Sequence, residues 1–249
     1  MEWNNEMNNS LPKVLYKYRD WNNPLHKNIL MDNKLYFASP KNFEDEYDCN
    51  VPMKYPSEKE WYNYLLCKVK RDNPNWSRGE RRDYARKESK KMTLDLKANF
   101  EKTKEKFNDI FGVLSMTIDC DNEKMWSKYA CDNQGLCIGF DTKLLVSCGS
   151  GVGNINYVKD LPIINFIENS IEKKHIINIL HKKEKWSFEK ECRIYKQWLD
   201  GATENDRNVS LPNNCIVEII LGNNMSAESK EEVKLIAKEK YPNAKIIER

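Results

Sequence analysis

The chain has 249 residues, 40% of them apolar and 32% charged, and its 41 Lys plus Arg nearly balance 38 Asp plus Glu. That is enough chain for a large core in one or two domains, with a strongly charged surface. A net charge of +3 says little about nucleic acid by itself, and no apolar run approaches the roughly 20 residues that cross a bilayer.

Val14 to Arg19 predicts a strand from its aromatic and β-branched content. Pro24 and Leu25 to Leu30 predict a short helix, Asn33 a turn, Lys34 to Ala38 a second strand, and Ser39-Pro40 a break. Ser57 to Arg71 predicts a helix with Trp61 and Leu65 on one side, interrupted by Asn73-Pro74-Asn75. A longer helix is expected from near Arg81 toward Ile110, with Met92, Leu96, Phe100 and Phe107 as its apolar stripe.

Phe111 to Thr117 predicts the next strand, and Glu123 to Ala130 a short helix presenting Met125, Trp126 and Tyr129 together. Leu136 to Phe140 is apolar enough for a central strand, with Asp141 as the cap of a following helix. Gly149 to Gly153 reads as a flexible connection, Ile155 to Val158 as a strand, and Ile163 to Lys183 as helical. The end reads strand, strand, helix, strand over Glu191–Lys196, Cys215–Leu221, Ser226–Lys240 and Lys245–Glu248. The expected fold is a single α+β domain over 1–249, with a mixed or antiparallel central sheet in two portions and a helical insertion over 57–110.

Met1 to Glu6 lack the basic end and apolar stretch of a secretory leader. The eight cysteines are therefore expected as reduced, mostly buried thiols in the cytoplasm. Cys120, Cys131, Cys137 and Cys148 contain no closely spaced pair, and His26, His175 and His181 form no zinc motif, so no structural zinc is expected. The glycines at 149, 151 and 153 lack the lysine of a phosphate loop and do not spell GxGxxG, and there is no GxSxG elbow. Phe43 to Asp48 holds four acids that either rim a solvated turn or, with Glu189 and Glu191, hold a divalent cation for phosphodiester chemistry. Lys68 to Lys91 carries ten basic and four acidic residues around Trp76 and Tyr84, either an exposed helix face or a nucleic-acid contact.

The most informative run is Lys185-Trp186-Ser187-Phe188-Glu189-Lys190-Glu191-Cys192-Arg193-Ile194-Tyr195. Read as the start of a strand, it places Glu189, Glu191, Arg193 and Tyr195 on one face, with Cys192 and Ile194 toward the core. Arg19 is its early counterpart, sharing a face with Lys17 and able to hold a carboxylate or phosphate with two hydrogen bonds. A pairing of Arg19 with Glu191, or of Arg193 with Glu189, that only orders the sheet is the alternative.

Five blocks carry a resemblance: Leu15 to Arg19, Leu35 to Asp45, Met125 to Ala130, Gly135 to Asp141 and Lys185 to Ile194. In order and spacing they resemble the bacterial family known as domain of unknown function 2971, over about residues 14–222, with Glu46 where relatives commonly carry proline. Members of that family look like proteins of bacterial accessory and phage-defence regions. The layout is also similar to the ADP-ribosyltransferase fold. That resemblance implies NAD in a cleft, with Arg19 on the pyrophosphate and Tyr36 or Trp126 against the nicotinamide. It further implies Ser115 as a supporting residue, Glu191 on the ribose hydroxyl, Glu189 directed at the acceptor and Arg193 keeping the carboxylates ionised. The acceptor would be protein, nucleic acid or water. A non-catalytic sensor or interaction domain and a divalent-metal nuclease built on Asp45 and Glu191 are the competing expectations.

Overall fold

A computed structural model describes residues 11–249, without the side chains of Lys97, Phe100 and Glu101. The reading of Met1 to Glu6 and the place of Phe100 in an apolar stripe lie outside the described residues. The fold is a mixed α+β arrangement built on a seven-stranded sheet. In chain order its strands are β1 (Val14–Arg19), β4 (Phe111–Thr117), β5 (Leu136–Asp141), β6 (Gly151–Asn154), β10 (Glu191–Gln197), β12 (Ile216–Leu221) and β13 (Lys245–Glu248). They lie side by side as β13-β12-β5-β1-β4-β10-β6. All neighbours are antiparallel except β12 and β13.

One junction in that sheet is thin. β1 pairs with β5 over six residues and β4 pairs with β10 over seven, yet β1 meets β4 only at Tyr16↔Thr117. The sheet is thus two well-paired portions joined at one point. On its first face, Leu15, Ile138, Phe140, Leu114 and Ile194 are buried beneath helices α1 (Pro24–Met31), α5 (Thr142–Val146) and α7 (Ala227–Lys240). The second face has two separate apolar patches. Tyr18, Cys137 and Ile220 pack under α4 (Glu123–Tyr129), while Phe111, Val113 and Ile155 pack under α6 (Ile171–Leu180). The space between these patches is where polar side chains collect.

Local chemistry explains most boundaries. Helices α2 (Glu58–Asp72) and α3 (Arg78–Ile110) each begin with a capping box, Ser57 with Glu60 and Ser77 with Glu80. They pack on each other, with Trp61, Leu65 and Val69 buried on α2 and the small Ala85 and Ser89 buried on α3. Met92 and Leu96, expected in the apolar stripe of α3, are only half-buried. Of the glycine run expected as a flexible connection, Gly149 and Ser150 lie outside any strand, whereas Gly151 to Gly153 belong to the edge strand β6, and a Cβ at Gly151 would lie 2.3 Å from the Tyr195 ring. The expected helical stretch from Ile163 begins later, because Ile164–Asn165 forms strand β8 beside Met53–Lys54 (β3). Four further short strands pair outside the main sheet, β2 (Lys34–Tyr36) with β11 (Asn208–Ser210) and β7 (Asn156–Val158) with β9 (His181–Lys183).

Candidate functional site

A hollow of about 260 Å³ opens at the thin β1–β4 junction, between the two apolar patches. Glu191 starts β10 directly opposite Thr117, in line with Tyr16 of β1, and Arg193 lies opposite Ser115. These residues share the second face. Glu189 does not stand on this strand, contrary to the sequence expectation. It ends a 3₁₀ turn over Glu184–Glu189, and Lys190 follows in the left-handed region at φ 43°. That reversal is an uncommon conformation for a lysine, and it brings Glu189 back beside Glu191, where both meet Lys182 of β9.

The result is a buried ionic cluster. Arg193 donates through Nε to Glu191 Oε1 at 2.6 Å and through Nη2 to Glu191 Oε2 at 3.2 Å. Its Nη2 also reaches Asp48 at 2.7 and 2.8 Å, and Nη1 donates to the Ile179 carbonyl and to Cys49 Sγ. Lys182 Nζ lies 2.6 Å from Glu189, 3.0 Å from Glu191 and 3.3 Å from Asp48. The Tyr129 hydroxyl donates to Glu189 Oε1 at 2.5 Å, and the Glu191 amide donates to the Tyr157 hydroxyl at 2.8 Å. Three carboxylates thus surround two cations, one negative charge in excess, with Arg193 fully buried and both glutamates 4% exposed.

The charges in this cluster hold one another in place. Burial alone pushes the Glu191 carboxyl up, but Arg193 and Lys182, helped by the Ser115 hydroxyl, bring it down to about 2. Burial works against the Lys182 ammonium as well, yet Glu191 and Asp48 keep it above the usual lysine range. Both groups are therefore charged at neutral pH. Asp45 sits apart at the rim. Burial favours its neutral form, but the Trp186 Nε1 donating to it at 2.5 Å and Lys185 at 3.3 Å lower it overall.

The opposite wall is cationic. Lys17 and Arg19 leave β1 from the face of Leu15, whereas Tyr16 and Tyr18 leave from the face of Glu191. In a continuous sheet, Arg19 and Glu191 would be on opposite sides. The missing β1–β4 pairing lets all of them line one hollow, and Lys17 Nζ crosses the gap to donate to the Ser115 carbonyl at 2.7 Å. Burial and the neighbouring Arg19 guanidinium push the Lys17 ammonium well below its ordinary range. Arg19 is lowered to about 10 by burial. Its Nη1 has only a 3.5 Å contact to the Tyr18 carbonyl, and its Nε is buried with no hydrogen-bond partner. Among the described residues, no carboxylate lies within ion-pair distance of Lys17 or Arg19.

Gly135 fixes this end of β1. A Cβ there would sit 2.1 Å from the Arg19 carbonyl, so only glycine lets the turn after α4 close against the strand.

Of the residues expected at a site, Arg19, Asp45, Ser115, Glu189 and Glu191 line the same hollow. Arg193 stands behind it as a partner of Glu191 and Asp48. Trp126 is fully buried, donates to the Cys120 carbonyl at 3.0 Å and meets Tyr18 edge-on at 5.1 Å, so its ring faces the core. Tyr36 is on β2, where its hydroxyl donates to Glu204 at 2.7 Å, and it does not line the hollow. Besides Tyr16, Tyr18 and Phe43, the rings that do are Tyr129 and Trp186, the last capped by Lys128 Nζ 3.9 Å from its centroid. Both rings lie in blocks that the sequence marks as distinctive. Lys182, by contrast, has no signal in sequence, and Asp48 could be read only as part of an acidic run.

No curated protein and no solved structure matches the chain. Residues 125–194 match the model of a family described as a protein of unknown function (DUF2971), a stretch running from α4 into β10 that contains Tyr129, Lys182, Trp186, Glu189 and Glu191 but not Arg19.

Proposed function

We propose that the hollow receives a phosphorylated small molecule, with NAD as the candidate, and that the protein consumes it in an ADP-ribosyltransferase type of reaction. One observation supports this more than the others: a buried Arg19 Nε without a partner shares a hollow with Glu189 and Glu191. A desolvated guanidinium N–H without an acceptor is costly, and a phosphate oxygen is an acceptor suited to it. Lys17, also without a carboxylate, reinforces the same end.

NAD supplies a ribose–nicotinamide bond whose cleavage builds positive charge on the sugar. Glu191, held ionised, places negative charge at that wall. Its oxygens already take Arg193 and Lys182, so its main work is to position them. Glu189 takes one donor on each oxygen, Tyr129 and Lys182, and retains capacity to accept a ribose hydroxyl or an acceptor proton. A volume of about 260 Å³, against about 300–1,000 Å³ for ordinary ligand sites, suits the phosphates and one ring-sized portion, with the remainder over the Glu44–Lys128 rim. The acceptor would be protein, nucleic acid or water, in a cytoplasmic setting and a role in bacterial defence.

A non-catalytic sensor is the second reading, favoured by the pairing of Asp48, Glu189 and Glu191 with protein cations. The metal nuclease has less to support it. Among the described residues no group of three or more His, Cys, Asp or Glu is arranged to hold a metal ion, and Asp45 is committed to Trp186 and Lys185. Incubation with NAD and chromatographic detection of nicotinamide separates the readings. Release by the native protein, falling about 100-fold or more in Glu189→Gln, supports consumption. Binding without release supports the sensor, and neither binding nor release overturns both.

A further inference from the structure

A second hollow, of about 410 Å³, lies between α3, α6 and the segment around Val51. The chain at Asp48 and Cys49 divides it from the first, since Asp48 lines one and Cys49 the other. Asn178 of α6 pins this divider, accepting from the Val51 amide at 2.8 Å and donating to the Cys49 carbonyl at 2.7 Å. The walls are apolar, formed by Val51, Met53, Leu96, Phe107, Ile110 and Phe166. The polar lining is one-signed: Lys104, Lys106, Lys174 and His175 face the hollow, and no acidic residue does so among the described residues.

Three of those groups are lysines. None of the three lysines has a carboxylate within ion-pair distance among the described residues, and Lys174 Nζ rests 3.8 Å over the Phe166 ring instead. His175 packs tilted against Phe107 and edge-on against Phe111, at 5.5 and 4.8 Å, and burial lowers its tendency to protonate. A site with an apolar body and cationic rim is complementary to a molecule of the opposite pattern. A cationic or uncharged apolar ligand would leave the lysines without a partner, whereas an anionic head supplies one.

We propose that this hollow binds an amphiphile with a single anionic head, its apolar body against Phe107, Ile110 and Phe166 and its head on Lys174, with Lys104 and Lys106 at the mouth. The inference is independent of the reading given to the first hollow. Decanoate is a suitable probe, titrated calorimetrically below its micelle concentration and compared with decyltrimethylammonium. The expected result is saturable one-site binding of decanoate, at least tenfold tighter than the cationic analogue. Lys174→Met, which keeps the aliphatic stem, should weaken it at least fivefold. Thr103→Trp, at an exposed α3 position lining the mouth, should weaken it by occlusion. Thermal melting confirms that each variant is folded. If Lys174→Met does not fold, the exposed pair Lys104→Ala and Lys106→Ala provides the same comparison. Absence of saturable decanoate binding, equal affinity for both head groups, or affinity unchanged in folded lysine variants and in Thr103→Trp overturns the proposal.

Discussion

Removing Arg193 is the most informative perturbation of the scaffold beneath the candidate site. Arg193→Leu deletes hydrogen bonds to both Glu191 oxygens, to Asp48 and to the Ile179 carbonyl, while leaving a side chain that can pack. Glu191 and Asp48 then keep only one cation, Lys182, which already serves Glu189. Breaking a buried pair by removing one partner costs about 3–5 kcal/mol, and for a chain of this size that corresponds to a Tm lower by ~6–20 °C. The loss has a pH signature. The native Glu191 carboxyl is depressed to about 2, so it contributes stability above its unfolded pKa, and that contribution fades as pH falls through the carboxylate range toward 2. In Arg193→Leu the carboxyl rises, so the deficit is largest near pH 7 and narrows in acid. Urea unfolding at pH 7 and pH 3.5 measures both effects. A deficit below about 1 kcal/mol at pH 7, or one that grows in acid, would refute the claim that this cluster is a mutually dependent charge network.

Gly135→Ala places a methyl against the Arg19 carbonyl and is expected to destabilise by about 1–3 kcal/mol while weakening anion binding in the same variant; unchanged melting and binding would show that β1 is not held there. Thiol titration of the native protein is expected to modify Cys67 first, because it is the exposed cysteine while Cys49, Cys137, Cys148, Cys192 and Cys215 are buried. Denaturant should release all eight thiols, none of which is disulfide-bonded, and rapid modification of a buried cysteine in the native state would contradict the packing.

Much of this fold is legible in sequence because its signals are periodic or punctuated. The strand of Glu191 and Arg193 is recognisable, and their i, i+2 spacing correctly puts carboxylate and guanidinium on one face. The capping boxes at Ser57 and Ser77 are equally plain once Glu60 and Glu80 are noticed. What escapes is decided by tertiary geometry. Glu189 looks continuous with the strand because nothing about Lys190 announces a left-handed residue. Asp48 is buried against an arginine 145 positions away, and no local pattern separates it from the exposed acids beside it. Trp126 sits in a distinctive block, but its ring closes the core over Tyr18, whereas Trp186 and Tyr129 reach the hollow. The thin β1–β4 junction has no counterpart in sequence, yet it is what lets Arg19 and Glu191 line the same space.

The direct test of that shared space is calorimetric titration with ADP-ribose at low salt, native protein against Arg19→Met. Because the guanidinium is lowered to about 10 by burial and its Nε lacks a partner, the variant should be as stable as the native protein or slightly more so. Its affinity should nonetheless fall at least tenfold. No saturable binding by the native protein, or equal affinity in a folded Arg19→Met, would contradict an anion site at this strand gap.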